Sequence, residues 1–202
     1  RSISELGDDY KYASGTQRPL VNLTTTDMSG KDEIVLSVSY TFSTAEDACK
    51  IARESNTKVL YDCGGLYEGV ERLLKLTDVM IPSEEFSLGH TGCDNVSDAA
   101  KKLYERYNPD VVVITQGKKG GILYDGTRLT AYPAFSVKVA DSNGAGDVFH
   151  GAFAAGYLKG YDFLKCCYFA SAVSAIKCTG VGARESVPDF ETVKDFLKEN
   201  GY

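Results

Sequence analysis

From Thr41 onward the chain repeats one rhythm: a short apolar run rich in β-branched residues, then a longer segment with helical spacing. Strands separated by helices are joined by crossovers, and crossovers build a mainly parallel sheet covered on both faces. The run Asp110–Thr115 (DVVVIT) is the clearest case, apolar at consecutive positions and so suited to burial on both sides. Around it the pattern predicts strands at Lys58–Asp62 and Asp78–Ile81, the second ended by Pro82. A hairpin of Gly121–Tyr124 with Thr130–Pro133 follows. Ser43-Thr44-Ala45-Glu46 has a capping-box pattern and opens a predicted helix to about Glu54. Further helices are predicted over Tyr67–Leu76, Val96–Tyr107, Ala145–Lys159, Asp162–Cys178 and Phe190–Glu199. The fold class is α/β.

The first 40 residues break this rhythm. Residues 1–18 are polar and irregular, and two β-rich stretches, Pro19–Thr26 and Glu33–Tyr40, flank turn chemistry at Asp27–Asp32. They read as a β-hairpin appended to a body over 41–202.

Bulk properties exclude several classes of function. The net charge of −6 argues against a general nucleic-acid binder, which needs a basic stripe to neutralise phosphates. A small anion is still compatible, because backbone N–H groups bind phosphate without net positive charge. No apolar run approaches the roughly 18 residues of a membrane span. The chain begins at Arg1, with no visible signal peptide. The cysteines, Cys49, Cys63, Cys93, Cys166, Cys167 and Cys178, match no zinc spacing and are expected as free thiols in a reducing cytoplasm. Only His90 and His150 are available for histidine chemistry.

The segment Val137–Phe153 (VKVADSNGAGDVFHGAF) carries the most chemical information. A β-like run ends at Asp141, and Gly144-Ala145-Gly146-Asp147 then opens an apolar helix. Glycines at a helix start let backbone approach a ligand, and the first helical N–H groups lack internal partners at the positive end of the dipole. That suits an anion, above all a phosphoryl group gathering charge. Asp147 beside it could take a proton from an attacking hydroxyl, acting by position more than basicity. Equally, Asp141, Ser142 and Asp147 could simply cap a helix. Two more glycine clusters lie downstream of a strand and of a helix. Thr115-Gln116-Gly117-Lys118-Lys119-Gly120-Gly121 is either a ligand loop at a strand's carboxyl end or a plain hairpin turn. Thr179–Ser186 is either part of a site or a helix C-cap with its loop. No Walker A motif and no GxGxxG fingerprint opening a helix is found.

In this order and spacing the three stretches resemble the C-terminal half of the ribokinase-like carbohydrate kinases. DSNGAGDVFHGAF resembles that family's DTxGAGDxFxGA signature, TQGKKG its TxGxxG nucleotide loop, and FASAVSAIKCTGVGARESVP its adenine and cation segment. The resemblance covers roughly residues 44–200. It implies a three-layer α/β sandwich with a small β lid, to which residues 1–40 would contribute. It implies ATP-dependent phosphorylation of a sugar hydroxyl, with Asp147 as general base and Gly144, Ala145 and Gly146 as the anion hole. Thr115, Gly117, Lys118 and Gly120 would contact the nucleotide, with Ser83 near its phosphates and Ser171 near the adenine. Magnesium would arrive with ATP. Asp141, Asn143, Lys177, Gly180, Gly182 and Ser186 fall where members that use potassium bind it. A homodimer through the β lid is compatible with the family, as is a cytoplasmic location.

The chain departs from the family in places. Where an NxxE motif is common it has Pro82-Ser83-Glu84-Glu85-Phe86, with Ser83 for Asn and Phe86 for Glu, leaving Glu85 one position off. Ser142 stands where Thr is usual. The family's N-terminal strands and GGxxxN-type sugar region have no counterpart, and a strand and helix are expected between Tyr40 and Thr41. A nucleoside kinase and a non-catalytic sugar or nucleotide sensor are the alternative readings.

Overall fold

A computed structural model of the chain describes residues 20–24, 35–39 and 42–202. β1 (Leu20–Thr24) and β2 (Val35–Ser39) pair antiparallel, with Leu20 opposite Ser39, and join no other described strand. The appended hairpin is therefore a sheet of its own. Its turn at Asp27–Asp32 and the junction at Tyr40–Thr41 lie outside the described residues.

The body is built on a second sheet of β3 (Leu60–Cys63), β4 (Val79–Pro82), β5 (Val111–Thr115), β6 (Gly121–Tyr124) and β7 (Leu129–Tyr132), in that spatial order. β3, β4 and β5 pair parallel, and β6 pairs antiparallel with both β5 and β7. Four of the five strands thus run one way, with β6 alone reversed. The helices are α1 (Phe42–Glu54), α2 (Glu71–Leu74), α3 (Glu84–Thr91), α4 (Val96–Tyr107), α5 (Ala145–Leu158), α6 (Phe163–Lys177) and α7 (Phe190–Glu199).

Side chains alternate across a strand, so each apolar run divides between two cores. Val79, Ile81, Val111, Val113 and Leu123 pack with Phe149, Ala152 and Phe153 of α5, Cys166, Ala170 and Val173 of α6, and Val193 of α7. Met80, Val112, Ile114 and Ile122 face the other way, onto Leu74 of α2, Phe86 of α3, and Ala99, Ala100 and Leu103 of α4. The result is the expected three-layer sandwich. Small residues let α5 and α6 approach: a Cβ on Gly156 would meet the Cys166 sulfur at 3.4 Å. Among the described residues, four helices have side-chain caps. Ser83, Asn95, Asp162 and Asp189 accept from the amides of Phe86, Asp98, Lys165 and Thr192, at 2.8 to 3.1 Å.

Three local expectations change. The predicted Tyr67–Leu76 helix shrinks to Glu71–Leu74, because the chain first turns through i→i+3 bonds from Val70 N–H to the Tyr67 carbonyl and from Arg72 N–H to that of Gly69. α1 begins at Phe42, so Ser43 and Thr44 lie within its first turn rather than ahead of it. α3 was not anticipated; its signals are the Ser83 cap, Glu84 and Glu85 in the first turn, and a left-handed Gly92 closing it. All six cysteines are free thiols. Among the described residues no helix is long and apolar enough to cross a membrane.

Phe153 is fully buried between the sheet and α6. Phe153→Ala is expected to destabilise the protein by about 3–5 kcal/mol, read from the urea midpoint. A midpoint within error of the parent would contradict this packing.

Candidate active site

Because β3, β4 and β5 are parallel, their carboxyl ends at Cys63, Pro82 and Thr115 share one edge, where open α/β sheets bind ligands. Ser83 and Thr115 form an isolated parallel bridge there. The start of α5 is pinned to the same edge by His150. Its Nε2 lies 3.1 Å from the Ile81 carbonyl oxygen, and its Nδ1 lies 2.7 Å from that of Gly146 and 3.3 Å from the Asp62 carboxylate. Burial raises the Asp62 carboxyl above its ordinary range, with His150 opposing and the Asp147 charge adding to the rise. Asp62 and Asp147 are thus electrostatic neighbours. Neither Asp62 nor His150 was singled out from the sequence. Their signals were a carboxylate near the end of a strand and a histidine one turn into the helix after Gly146.

Asp147 is exposed in the first turn of α5. The N-cap is Gly144, at φ 72°, and no side chain caps this helix, in contrast to the capped starts of α3, α4, α6 and α7. The simple capping role considered for Asp141 does not hold, because its carboxylate is engaged elsewhere. Of the three anion-hole residues expected, Ala145 already donates its amide to the Ser142 carbonyl at 3.2 Å. The next two helical amides, of Gly146 and Asp147, belong to the turn that has no acceptors of its own.

Asp141 ties two loops together. Its Oδ1 accepts from Asn143 N–H at 2.9 Å and its Oδ2 from Gly182 N–H at 3.1 Å. Those two amides, with Lys177 nearby, hold its carboxyl below the usual range. The Cys178 carbonyl accepts from the amides of Ala140 and Asp141, at 2.8 and 3.2 Å. Lys177, fully buried at the end of α6, donates to the carbonyls of Asp141, at 3.0 Å, and Asn143. Ser186 donates to Val181 O at 2.8 Å and lies against Gly180, whose Cβ, if present, would come within 2.5 Å of its hydroxyl. Asp141, Asn143, Lys177, Gly180, Gly182 and Ser186, distant in sequence, are therefore brought together.

After β5 the chain makes a 3₁₀ turn at Gly117–Lys119, closed by Gln116 N–H to Gly120 O at 2.8 Å. Gly120 sits at φ 83° and ψ −121°, and a Cβ there would stand 2.1 Å from the Tyr132 carbonyl oxygen. Only glycine fits. The loop is braced from α3 by Glu84, which accepts from Gln116 Nε2 at 2.8 Å and pairs with Lys119 at 3.4 Å. Phe86, in the position that the family often fills with Glu, is 1% exposed and belongs to the core. The carboxylate that meets the loop is Glu84, while Glu85 is exposed. The Ser83 hydroxyl is engaged as a helix cap, Lys118 is exposed, and Ser171 is buried in α6.

The profile of the pfkB family of carbohydrate kinases matches residues 16–189. An ATP-dependent 6-phosphofructokinase of Thermoanaerobacterium thermosaccharolyticum is 33% identical over 127 residues, covering 63% of this chain and 39% of that protein. A 5-dehydro-2-deoxygluconokinase of Clostridium perfringens is 28% identical over 208 aligned positions, covering 95% and 58% respectively. Among solved structures, Arabidopsis thaliana ribokinase complexed with ribose and ATP matches with a TM-score of 0.71 at 27% identity, over 77% of this chain and 52% of that one. The chain spans about half the length of the relatives it matches.

Gly120→Ala must move backbone, whereas Gly117→Ala, at φ 55° with nothing within 4 Å, meets only the left-handed strain. The Gly117 variant is expected to lose about 1–2 kcal/mol and the Gly120 variant more than that, compared by urea midpoint. Equal losses would refute the close approach to Tyr132.

Proposed function

The chain belongs to the pfkB family of carbohydrate kinases, and on that premise we propose that it forms the nucleotide-binding and catalytic part of an ATP-dependent kinase acting on a hydroxyl of a sugar or sugar-like substrate. The observation that carries this reading is the start of α5: a helix with no side-chain cap, at the carboxyl edge of the parallel strands β3, β4 and β5, with a carboxylate in its first turn.

The chemistry follows from that arrangement. The acceptor oxygen attacks the γ-phosphorus, its proton passes to Asp147, and the bond to the departing ADP breaks in line. Negative charge spreads over the transferring phosphoryl oxygens, where the first-turn amides of Gly146 and Asp147 and the helix dipole stabilise it. His150 contributes by position: by binding the Ile81 carbonyl it fixes where Asp147 stands relative to the sheet. The nucleotide would lie along the Thr115–Gly120 loop and the Thr179–Ser186 loop, with Gly117 and Lys118 accessible and Glu84 bracing the first of these. Ser171 would lie behind the adenine, and Ser83 beside the phosphates. Among the described residues no cluster of three His, Cys, Asp or Glu side chains suits a metal ion. Magnesium would therefore enter on the nucleotide, with phosphate oxygens and water as its main ligands. The separate β1–β2 sheet supports a lid over the sugar, since it is tied to no strand of the body.

Asp147→Asn keeps the size and the helix start but removes the proton acceptor. In the full protein, turnover with ATP and a panel of sugars and nucleosides is expected to fall about 10²–10⁴-fold, with ATP affinity and thermal stability near those of the parent. Parent-like turnover from a folded, ATP-binding Asp147→Asn variant would overturn the mechanism. A parent that binds ATP but phosphorylates nothing on the panel would favour a sensor.

A further inference from the structure

Lys177 is the last residue of α6, and its side chain is fully buried. An ammonium carries three donors and no acceptor, so burial demands oxygen partners. One turn supplies them: the carbonyl oxygens of Asp141, at 3.0 Å, and of Asn143, with the Asp141 carboxylate 3.9 Å away. Carbonyl oxygens gathered around one point can take the place of a potassium ion's hydration shell. Here those oxygens already hold a positive charge that is covalently part of α6.

The resemblance to the ribokinase-like kinases led to the expectation of a potassium site among these residues. The donor set does not fit a free ion. The Asp141 and Asn143 carbonyls are engaged by Lys177, and a second cation sharing them would meet like-charge repulsion at short range. The Asp141 carboxylate is likewise engaged by the amides of Asn143 and Gly182. A bound ion would stabilise the turn by an amount that depends on its concentration, whereas a tethered one is always present.

We infer that the Lys177 ammonium is the resident monovalent cation of this turn. It offsets the charge of Asp141, holds the Asp141 and Asn143 carbonyls, and so sets the entry into α5 without potassium. Lys177 is a positioning residue, since the groups it touches lie one and three residues ahead of the Gly144 cap. The inference concerns the turn, and none of its readouts is phosphotransfer, so failure of the kinase reading leaves the test in force.

The test uses the full protein in potassium chloride and in choline chloride at equal ionic strength, together with crystals grown in rubidium chloride. The parent is expected to show the same thermal midpoint in both salts, and no anomalous rubidium peak between the Asp141 and Asn143 carbonyls. Lys177→Ala is expected to lower the midpoint in choline by about 5 °C or more, to regain part of the loss in potassium, and to bind rubidium at the vacated position. Lys177→Met, which fills the space without charge, is expected to lose stability with no potassium response. A potassium-dependent rise in the parent midpoint, or rubidium at this position in the parent, overturns the inference. So does a folded Lys177→Ala variant indifferent to potassium. If neither variant folds, the two parent measurements decide.

Discussion

Val111, Val112, Val113 and Ile114 are all fully buried, and the strand they form cannot be satisfied by a single apolar layer. With side chains alternating across β5, Val111 and Val113 demand one helical cover, and Val112 and Ile114 demand another. α5, α6 and α7 meet the first demand, and α2, α3 and α4 meet the second. The neighbours of β5 follow the same rule, since Met80 parts from Val79 and Ile81, and Ile122 from Leu123. Once the layers are set, the parallel pairing of β3, β4 and β5 collects three strand ends on one edge, along which the candidate site lies.

What makes that edge more than a row of loops is a small set of polar contacts. His150 joins α5 to β4, Glu84 joins α3 to the loop after β5, and Asp141 joins the turn before α5 to the loop after α6. Each spans elements far apart in sequence. Ser174 adds one more, donating to the Ala145 carbonyl at 2.9 Å. The first turn of α5 is thus held by side chains on several sides while its cap position is left to glycine, so the backbone at Gly144–Asp147 is both fixed and accessible. Preorganised donors of this kind need little rearrangement when charge develops in front of them.

Much of this was legible in the residues themselves. DVVVIT implied a two-faced strand, the β6–β7 hairpin matched its turn chemistry, and Gly144–Asp147 marked a helix start. α3 was harder to read, since its eight residues carry only a weak helical period and its start coincides with a motif position. Phe86 appeared as a departure from a family pattern, whereas in the fold it fills the core and Glu84 does the bracing. Asp62 and His150 are invisible as a pair because 87 intervening residues separate a strand end from a helix that meets it only after folding.

The sequence by itself determined the two-faced sheet, through the period of its apolar residues, and the place where α5 begins, through glycines ahead of an apolar helix. Both are local properties, carried by neighbouring residues and their backbone preferences. Tertiary structure alone decided which carboxylate meets the loop after β5, what His150 ties to the start of α5, and what sits among the Asp141 and Asn143 carbonyls. Lys177 makes the reason plain. At the end of a helix a lysine is ordinarily a solvated charge, favoured there by the dipole. In the fold it is removed from water, and its ammonium must find the carbonyl oxygens of a turn more than thirty residues earlier.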